Sequence, residues 1–428
     1  MHFSRSRVFL LMIGFMLMAL INSCTDNGQI NSENKAESEM LSFQDASQGL
    51  PQTGMWRQSI AICDLNDDGF LDILSAPPRL GSPDESHPFL WYGTKEGLWK
   101  EGSLNVPENV PYNYGAVGVA DFSGDGLPDL ALAMHRRAPR VLAGCPGGDY
   151  VGFSEGLPPE KEYSSRALTV SDVNHDGTPD LLLVSEAPFG RPNFRIAGVM
   201  VCTVREKKWQ CEELESNWEE GVAADQIITG DFNGDGNRDI AVGLLTAQHH
   251  RMVWLGDGKG TFTEFNHGLP EHTLFFGVAS GDINKDGKDD LVAATSGFGR
   301  SGLFGARVFL SGPEGFIEKS EGLLDRENVR RLTLGDLDGD GSLEIICGMG
   351  KGGVKIYKRN NDLWKEMAVS GLPKEGLGMI YGIYCLDING DGRLDVVLNY
   401  VSDSDKGKGG IKVYLNRSGK EVQESGKK

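Results

Sequence analysis

Oxygen-bearing side chains recur at alternate positions of seven nine-residue segments, each with Asp-Gly at its fifth and sixth positions and an acid at its ninth. The first, DLNDDGFLD, places Asp64, Asn66, Asp68 and Asp72 at positions one, three, five and nine, with Phe70 at the seventh to offer a backbone carbonyl. The other six sets are Asp121, Ser123, Asp125 and Asp129; Asp172, Asn174, Asp176 and Asp180; Asp231, Asn233, Asp235 and Asp239; Asp282, Asn284, Asp286 and Asp290; Asp336, Asp338, Asp340 and Glu344; and Asp387, Asn389, Asp391 and Asp395. Calcium takes six to eight oxygen ligands, and a tight loop turns alternate side chains inward together while glycine permits the bend. The expected cofactor is calcium, up to seven ions, with Ser123 the poorest ligand and Glu344 a carboxylate on a longer stem.

An EF-hand opens in the same way, but it needs a bidentate Glu at the twelfth position and flanking helices. The twelfth positions here are Ser75, Leu132, Leu183, Val242, Ala293, Cys347 and Leu398. The flanks, such as IITGDF before and RDIAVGL after the fourth loop, read as the strands of a hairpin. The simpler alternative is that Asp-Gly only makes a favourable turn. Against it stand 24 carboxylates in seven short loops, because like charges held that close oppose folding unless a cation sits among them.

The loop starts are 57, 51, 59, 51, 54 and 51 residues apart, too long for a helical hairpin repeat and suited to a small four-stranded sheet. Seven such units predict an all-β, seven-bladed β-propeller over residues 41–417. These loops, with FGVASGDINKDGKDDLVAATS at residues 276–296, resemble the FG-GAP or VCBS repeats of the integrin-alpha-like propeller superfamily. The resemblance implies a calcium ion in each blade's hairpin. It does not imply one activity, since the scaffold serves adhesion receptors, lectin-like modules and some polysaccharide lyases.

The two ends of the domain predict how the ring closes. The last repeat ends after IKVYLN and runs into a polar tail at residues 418–428, without the outer strand and linker that follow the other loops. SFQDASQGLP at residues 42–51 lies before the first loop at the spacing of such a strand. It is expected to supply the fourth strand of blade seven and so remove an exposed edge.

The N-terminus addresses location. Arg5 and Arg7, an apolar run over residues 8–21 and then Cys24 resemble a bacterial lipoprotein signal, with an uncleaved anchor or simple signal peptide as the alternative. Residues 1–23 are read as the signal peptide and residues 24–40 as a lipidated, flexible tether, with Cys24 the lipidation site and the membrane a partner through it. The expected location is an exported, membrane-anchored lipoprotein at the outer membrane, cell surface or periplasm. Cys202 and Cys211 flank the turn-like EKK as a candidate cross-strand disulfide, and the other cysteines after Cys24 read as free thiols.

A net charge of −19 argues against nucleic acid. Removing residues 1–23 takes away two arginines and gives −21, which seven calcium ions would bring to −7. If the loops share one face of the disc, the connections on the other carry Arg57, Tyr114, Arg136, Arg137, Arg166, Arg191, His249, Arg251, Arg300 and Arg330. Aromatics beside guanidiniums suit sugar rings and carboxylates, so a glycan or envelope protein is the expected ligand and ordinary loop decoration the alternative. The expected function is a non-catalytic binding or scaffold module. A polysaccharide lyase or hydrolase is the alternative, although no triad, zinc-spaced His or paired-carboxylate motif stands apart from the repeats; Asp225, His249 and His250 are its conceivable groups.

Overall fold

The computed structural model describes residues 40–79, 87–95, 97–186, 198–214, 223–244, 252–296, 302–323, 325–402 and 408–419. The signal, Cys24 and the tether up to residue 39 lie outside the described residues, as do Arg191, His249, His250, Arg251 and Arg300.

Each Asp loop joins the two innermost strands of one blade. In blade one, β2 (Ala61–Cys63) pairs antiparallel with β3 (Asp72–Ser75), followed by β4 (Phe89–Gly93) and β5 (Trp99–Gly102). The second strand is buried throughout, as an inner strand packed on both faces must be. Five more sheets repeat this four-stranded order, and the seventh completes the ring of seven blades. All seven innermost segments line a central channel of about 470 Å³, from Ile60 in blade one to Ile383 and Tyr384 in blade seven. The apolar core fills the spaces between blades; Trp56, Trp91, Ile73, Val397 and Ile411, for example, join blade one to blade seven.

Closure follows the expected route. The N-terminal strand β1 (Leu41–Asp45) pairs antiparallel with the third strand of blade seven (Gly409–Asn416), placing Phe43 opposite Asn416, with that blade's second strand (Asp395–Val401) and first strand (Met379–Leu386) further in. One strand was not anticipated. In WKEMAVSGLP the first residues belong to blade six's outer strand, but a two-residue strand (Val369–Ser370) then runs parallel to β1 as a fifth strand of blade seven. The last blade therefore has its late-added strand clamped on both sides.

A repeated clasp joins linkers to the next blade. Trp209 donates its backbone N–H to Glu155 O and its indole N–H to Phe153 O, while Trp364 makes the same pair of bonds to Glu321 and Lys319. The linker glycine between these acceptors and the next blade lies hard against the outer strand. Gly156, at φ 97°, would drive a Cβ into the Trp209 carbonyl, and Gly371, at φ 82°, into that of Phe43. Gly371→Ala is expected to lower stability by about 2–4 kcal/mol, combining backbone strain with the clash. Urea unfolding of the variant beside wild type checks this, and a loss below about 0.5 kcal/mol would contradict the close approach.

Cys202 and Cys211 face each other directly across two strands of blade three and form a disulfide, with Cα atoms 4.0 Å apart. Cys63, Cys145, Cys347 and Cys385 are free thiols. Burial pushes Cys347 up to about 12, which keeps it protonated and unreactive.

Candidate functional site

Two ends of the channel differ in chemistry. Every innermost strand runs from one end, carrying arginines and aromatics, to the other, carrying an Asp loop. Contacts between successive loops hold several of them together on one face: His175 to Asn237 at 3.1 Å, Asp289 to the Asp231 backbone, and Lys285 to Ser342.

Within a loop, the first carboxylate shapes the backbone. Asp231 Oδ1 accepts the N–H groups of Gly234 and Asp235, and its Oδ2 that of Gly236. The third and fifth side chains lie beside each other at the exposed rim, with Asn233 donating to Asp235 at 2.9 Å. The Ser123 hydroxyl makes a long contact, 3.4 Å, to Asp121, as befits the poorest ligand of the set. In blade six, carboxylate oxygens of Asp336, Asp338 and Asp340 all lie within 4.8 Å of one another. This donor set of clustered carboxylate, amide and backbone oxygens fits a hard cation.

The ninth position has a role that spacing alone did not reveal. It opens the second strand and is fully buried, and in five blades it latches two backbone segments. Asp239 accepts from Phe232 N in the loop and Gly256 N in the third strand; Asp72, Asp129, Asp290 and Asp395 repeat this with Gly93, Gly144, Ser311 and Asn416. In blades three and six the strand-side bond is missing among the described residues, where neither Asp180 Oδ1 nor Glu344 Oε1 has a hydrogen-bond partner, Glu344 Oε1 having only an ion-pair contact with Lys358 at 3.5 Å. Burial pushes Asp180, Asp239 and Glu344 up to about 7, and Asp290 and Asp395 to about 6, with the other carboxylates of each loop adding to the rise. A cation among these groups would reverse that pressure and satisfy the orphaned oxygens.

Blade six carries its own counter-charge. Lys358 Nζ, from the third strand, bonds Asp338, lies 2.6 Å from Asp340 and 3.5 Å from Glu344. Burial opposes its charge, but these carboxylates outweigh the effect and raise its pKa.

At the opposite end, the sequence-predicted residues separate into two groups. Arg57, Tyr114, Arg166 and Arg330 converge around the channel mouth, each guanidinium lying two residues before the channel-lining part of its strand. Arg136 and Arg137 sit further out on an exposed turn, where Arg137 lies 3.5 Å from Glu160. Sequence reasoning set Arg331 beside Arg330 on this face but did not single out Tyr381; its signal is the alignment of repeats, which puts Tyr381 at the position of Arg166, Asp225, Phe276 and Arg330.

Tyr114 differs from an open stacking platform: it is buried, stacks on His135 at 4.6 Å and faces the guanidiniums of Arg57 and Arg79. Arg330 lies 4.0 Å over Phe276 and Arg57 lies 4.4 Å over Tyr381, so these rings brace arginines. Asp225 pairs with Arg166 at 2.5 Å and with Arg330 at 3.8 Å. Burial opposes its ionisation, but Arg166, Arg331 and Arg330 outweigh this and hold it below the usual carboxylate range.

This ring of Asp-loop hairpins has known counterparts. The chain matches the FG-GAP-like repeat at residues 64–132, 121–183, 231–293 and 336–398, more than half its length, and belongs to that family. It is 22% identical over 292 residues to integrin alpha pat-2 of Caenorhabditis briggsae, covering 62% of this chain and 21% of that protein. It is also 27% identical over 140 residues to a T-cell immunomodulatory protein homolog of Plasmodium falciparum (isolate 3D7), covering 28% and 18%. The chain thus spans about a fifth of the length of these curated relatives. Among solved structures, BBS1N in complex with ARL6DN, soaked with lead, is similar with a TM-score of 0.52 at 12% identity, covering 87% of this chain and 96% of that one. The mercury-soaked crystal of the same complex has a TM-score of 0.51 with the same identity and coverage. These structural likenesses concern the fold alone.

Proposed function

We propose that this chain is an exported, membrane-anchored, calcium-stabilised propeller acting as a non-catalytic binding or scaffold module. Its ligand is an acidic glycan or an envelope protein, engaged at the mouth opposite the Asp loops. The observation that carries this reading is the convergence of guanidiniums from blades one, three and six at that mouth, while the Asp loops lie at the other end. Cationic, braced groups in a concave position suit recognition of anionic partners.

The residues that would hold calcium are the loop side chains at positions one, three and five, with the ninth carboxylate closing beneath them. Calcium would supply charge neutralisation and loop rigidity rather than chemistry. A lyase or hydrolase needs an acid and a base near neutrality. Asp225 is instead an ion-paired carboxylate, and His135 Nδ1 is bound to Glu186 at 2.7 Å, so neither favours that alternative. Export and anchoring rest on the basic, apolar and Cys24 sequence at the N-terminus, and the family's integrin-like relative supports a surface location.

The test is binding of the calcium-loaded protein to an array of acidic glycans and envelope proteins. Saturable binding to at least one member is expected, weakened at least tenfold by Arg57→Gln combined with Arg330→Gln. An array with no binder, or release of unsaturated sugar ends from a polysaccharide, would reject the non-catalytic reading.

A further inference from the structure

We infer that the arginine cluster at the channel mouth is a receptor for one compact oxyanion of the sulfate or phosphate-ester type. The inference deepens the ligand-face proposal and rests on it.

Charge balance is the first support. Arg57, Arg166, Arg330 and Arg331 act on one another across the mouth, and the carboxylates near them among the described residues are Asp225 and Glu186. Glu186 is taken up by the His135 ring, the Arg136 backbone N–H and the Ser164 hydroxyl. Among the described residues these guanidiniums, with Arg79 beside Arg57 on the Tyr114 ring, outnumber the two carboxylates in a largely buried setting. Burying cationic charge without a counter-ion is costly, so an anion matches this excess.

Unused donors are the second, independent support. Arg331 is only 4% exposed. Its Nε donates to Tyr381 O at 2.9 Å, and its Nη1 donates to the Phe276 and Arg330 carbonyls. Its Nη2 is buried with no partner among the described residues, as are Arg330 Nε and Arg57 Nε. Gln58, 1% exposed and next in chain to Arg57, also leaves both side-chain amide atoms without a partner there. These N–H groups come from two blades and suit the several acceptor oxygens of a tetrahedral anion.

Rigidity and selectivity follow from the aromatic bracing. The planes of Arg330 and Arg57 are fixed over Phe276 and Tyr381, so little side-chain freedom remains to be lost on binding. Because those ring faces are covered by guanidiniums, they are not open to a neutral pyranose. The chemistry therefore selects an oxyanion. Burial and then the neighbouring Arg330 push Arg331 down to about 10, the direction expected of a cation short of counter-charge.

The experiment is calorimetric titration of the full calcium-loaded chain at constant ionic strength with sodium sulfate, p-nitrophenyl sulfate or sodium acetate. Saturable one-to-one binding of sulfate is expected, at least tenfold tighter than acetate. Tighter binding of the ester than of the free ion identifies a sulfated ligand, and the reverse identifies the free ion. Arg330→Gln and, separately, the less buried Arg57→Gln should each weaken sulfate binding at least tenfold while calcium content and near-ultraviolet circular dichroism stay unchanged. Sulfate also stabilises folded proteins generally, which makes the comparison between wild type and variants decisive. No saturable heat with wild type, or equal affinity in wild type and Arg57→Gln, would overturn the oxyanion receptor. Binding to the glycan and protein array without sulfate binding would overturn this inference alone and leave the ligand face standing.

Discussion

Deleting residues 40–52 is expected to lower the thermal midpoint by at least about 6 °C and to promote aggregation. The segment contributes Leu41 and Phe43 to the core of blade seven, and burial of two such side chains is worth about 5 kcal/mol. Spread over the unfolding entropy of roughly 380 residues, that loss gives the stated shift. The deletion also removes Ala46 and Gln48, whose carbonyls receive the indole and backbone N–H groups of Trp99 in blade one. Two blades therefore loosen together. With β1 gone, the strand Gly409–Asn416 becomes an unpaired edge, a template for pairing with another chain. Calorimetry with light scattering measures both effects. Leu41→Ala with Phe43→Ala, which keeps the backbone pairing, should reproduce the thermal loss with less aggregation. An unchanged midpoint and clear solutions would refute closure by the N-terminal strand.

Calcium removal has the other large expected effect, and it depends on the cofactor proposal. At 2 mM calcium and a dissociation constant of roughly 10⁻⁴ to 10⁻³ M, each occupied loop adds about 0.6–1.8 kcal/mol by mass action. Seven loops together give about 4–12 kcal/mol, or roughly 5–15 °C in the thermal midpoint. The comparison is between chelated protein and protein in 2 mM calcium, with magnesium as control. Asp231→Ala should reduce the measured stoichiometry by one ion. Blade six should load last, because calcium there competes with the ammonium of Lys358. Equal midpoints with and without chelator would reject calcium as the frame's counter-ion. Chelation that unfolds the chain would also abolish ligand binding, so the ligand mouth is tested only in calcium-loaded protein.

The repeat was legible because its determinants are local. Asp-Gly pairs fix hairpin turns, alternate acids mark the loops, and the absence of a twelfth-position Glu excludes the EF-hand; all of this lies within nine or twelve residues. Cys202 and Cys211 were readable for the same reason, being nine residues apart on one hairpin. Even closure was legible, since an outer strand missing at one end and present at the other is a counting argument. The fifth strand of blade seven was not, because Val369 and Ser370 carry no pattern distinguishing a linker from a two-residue parallel edge.

The ninth-position acids show where local reading stops. In sequence they are a fourth ligand; in three dimensions Asp239 also holds Gly256, 17 residues away, and thereby fixes the third strand. At the other end of the channel, Arg57, Arg166, Asp225, Arg330 and Tyr381 are scattered over more than 300 residues of sequence. They meet because a closed ring brings the same position of every blade to one axis. By itself the sequence determined the number of blades, the Asp loops and the closing strand. Only the tertiary structure decided which arginines gather, that the aromatic rings brace them, and which of their donors remain unpaired, because convergence at an axis depends on the curvature of the whole ring.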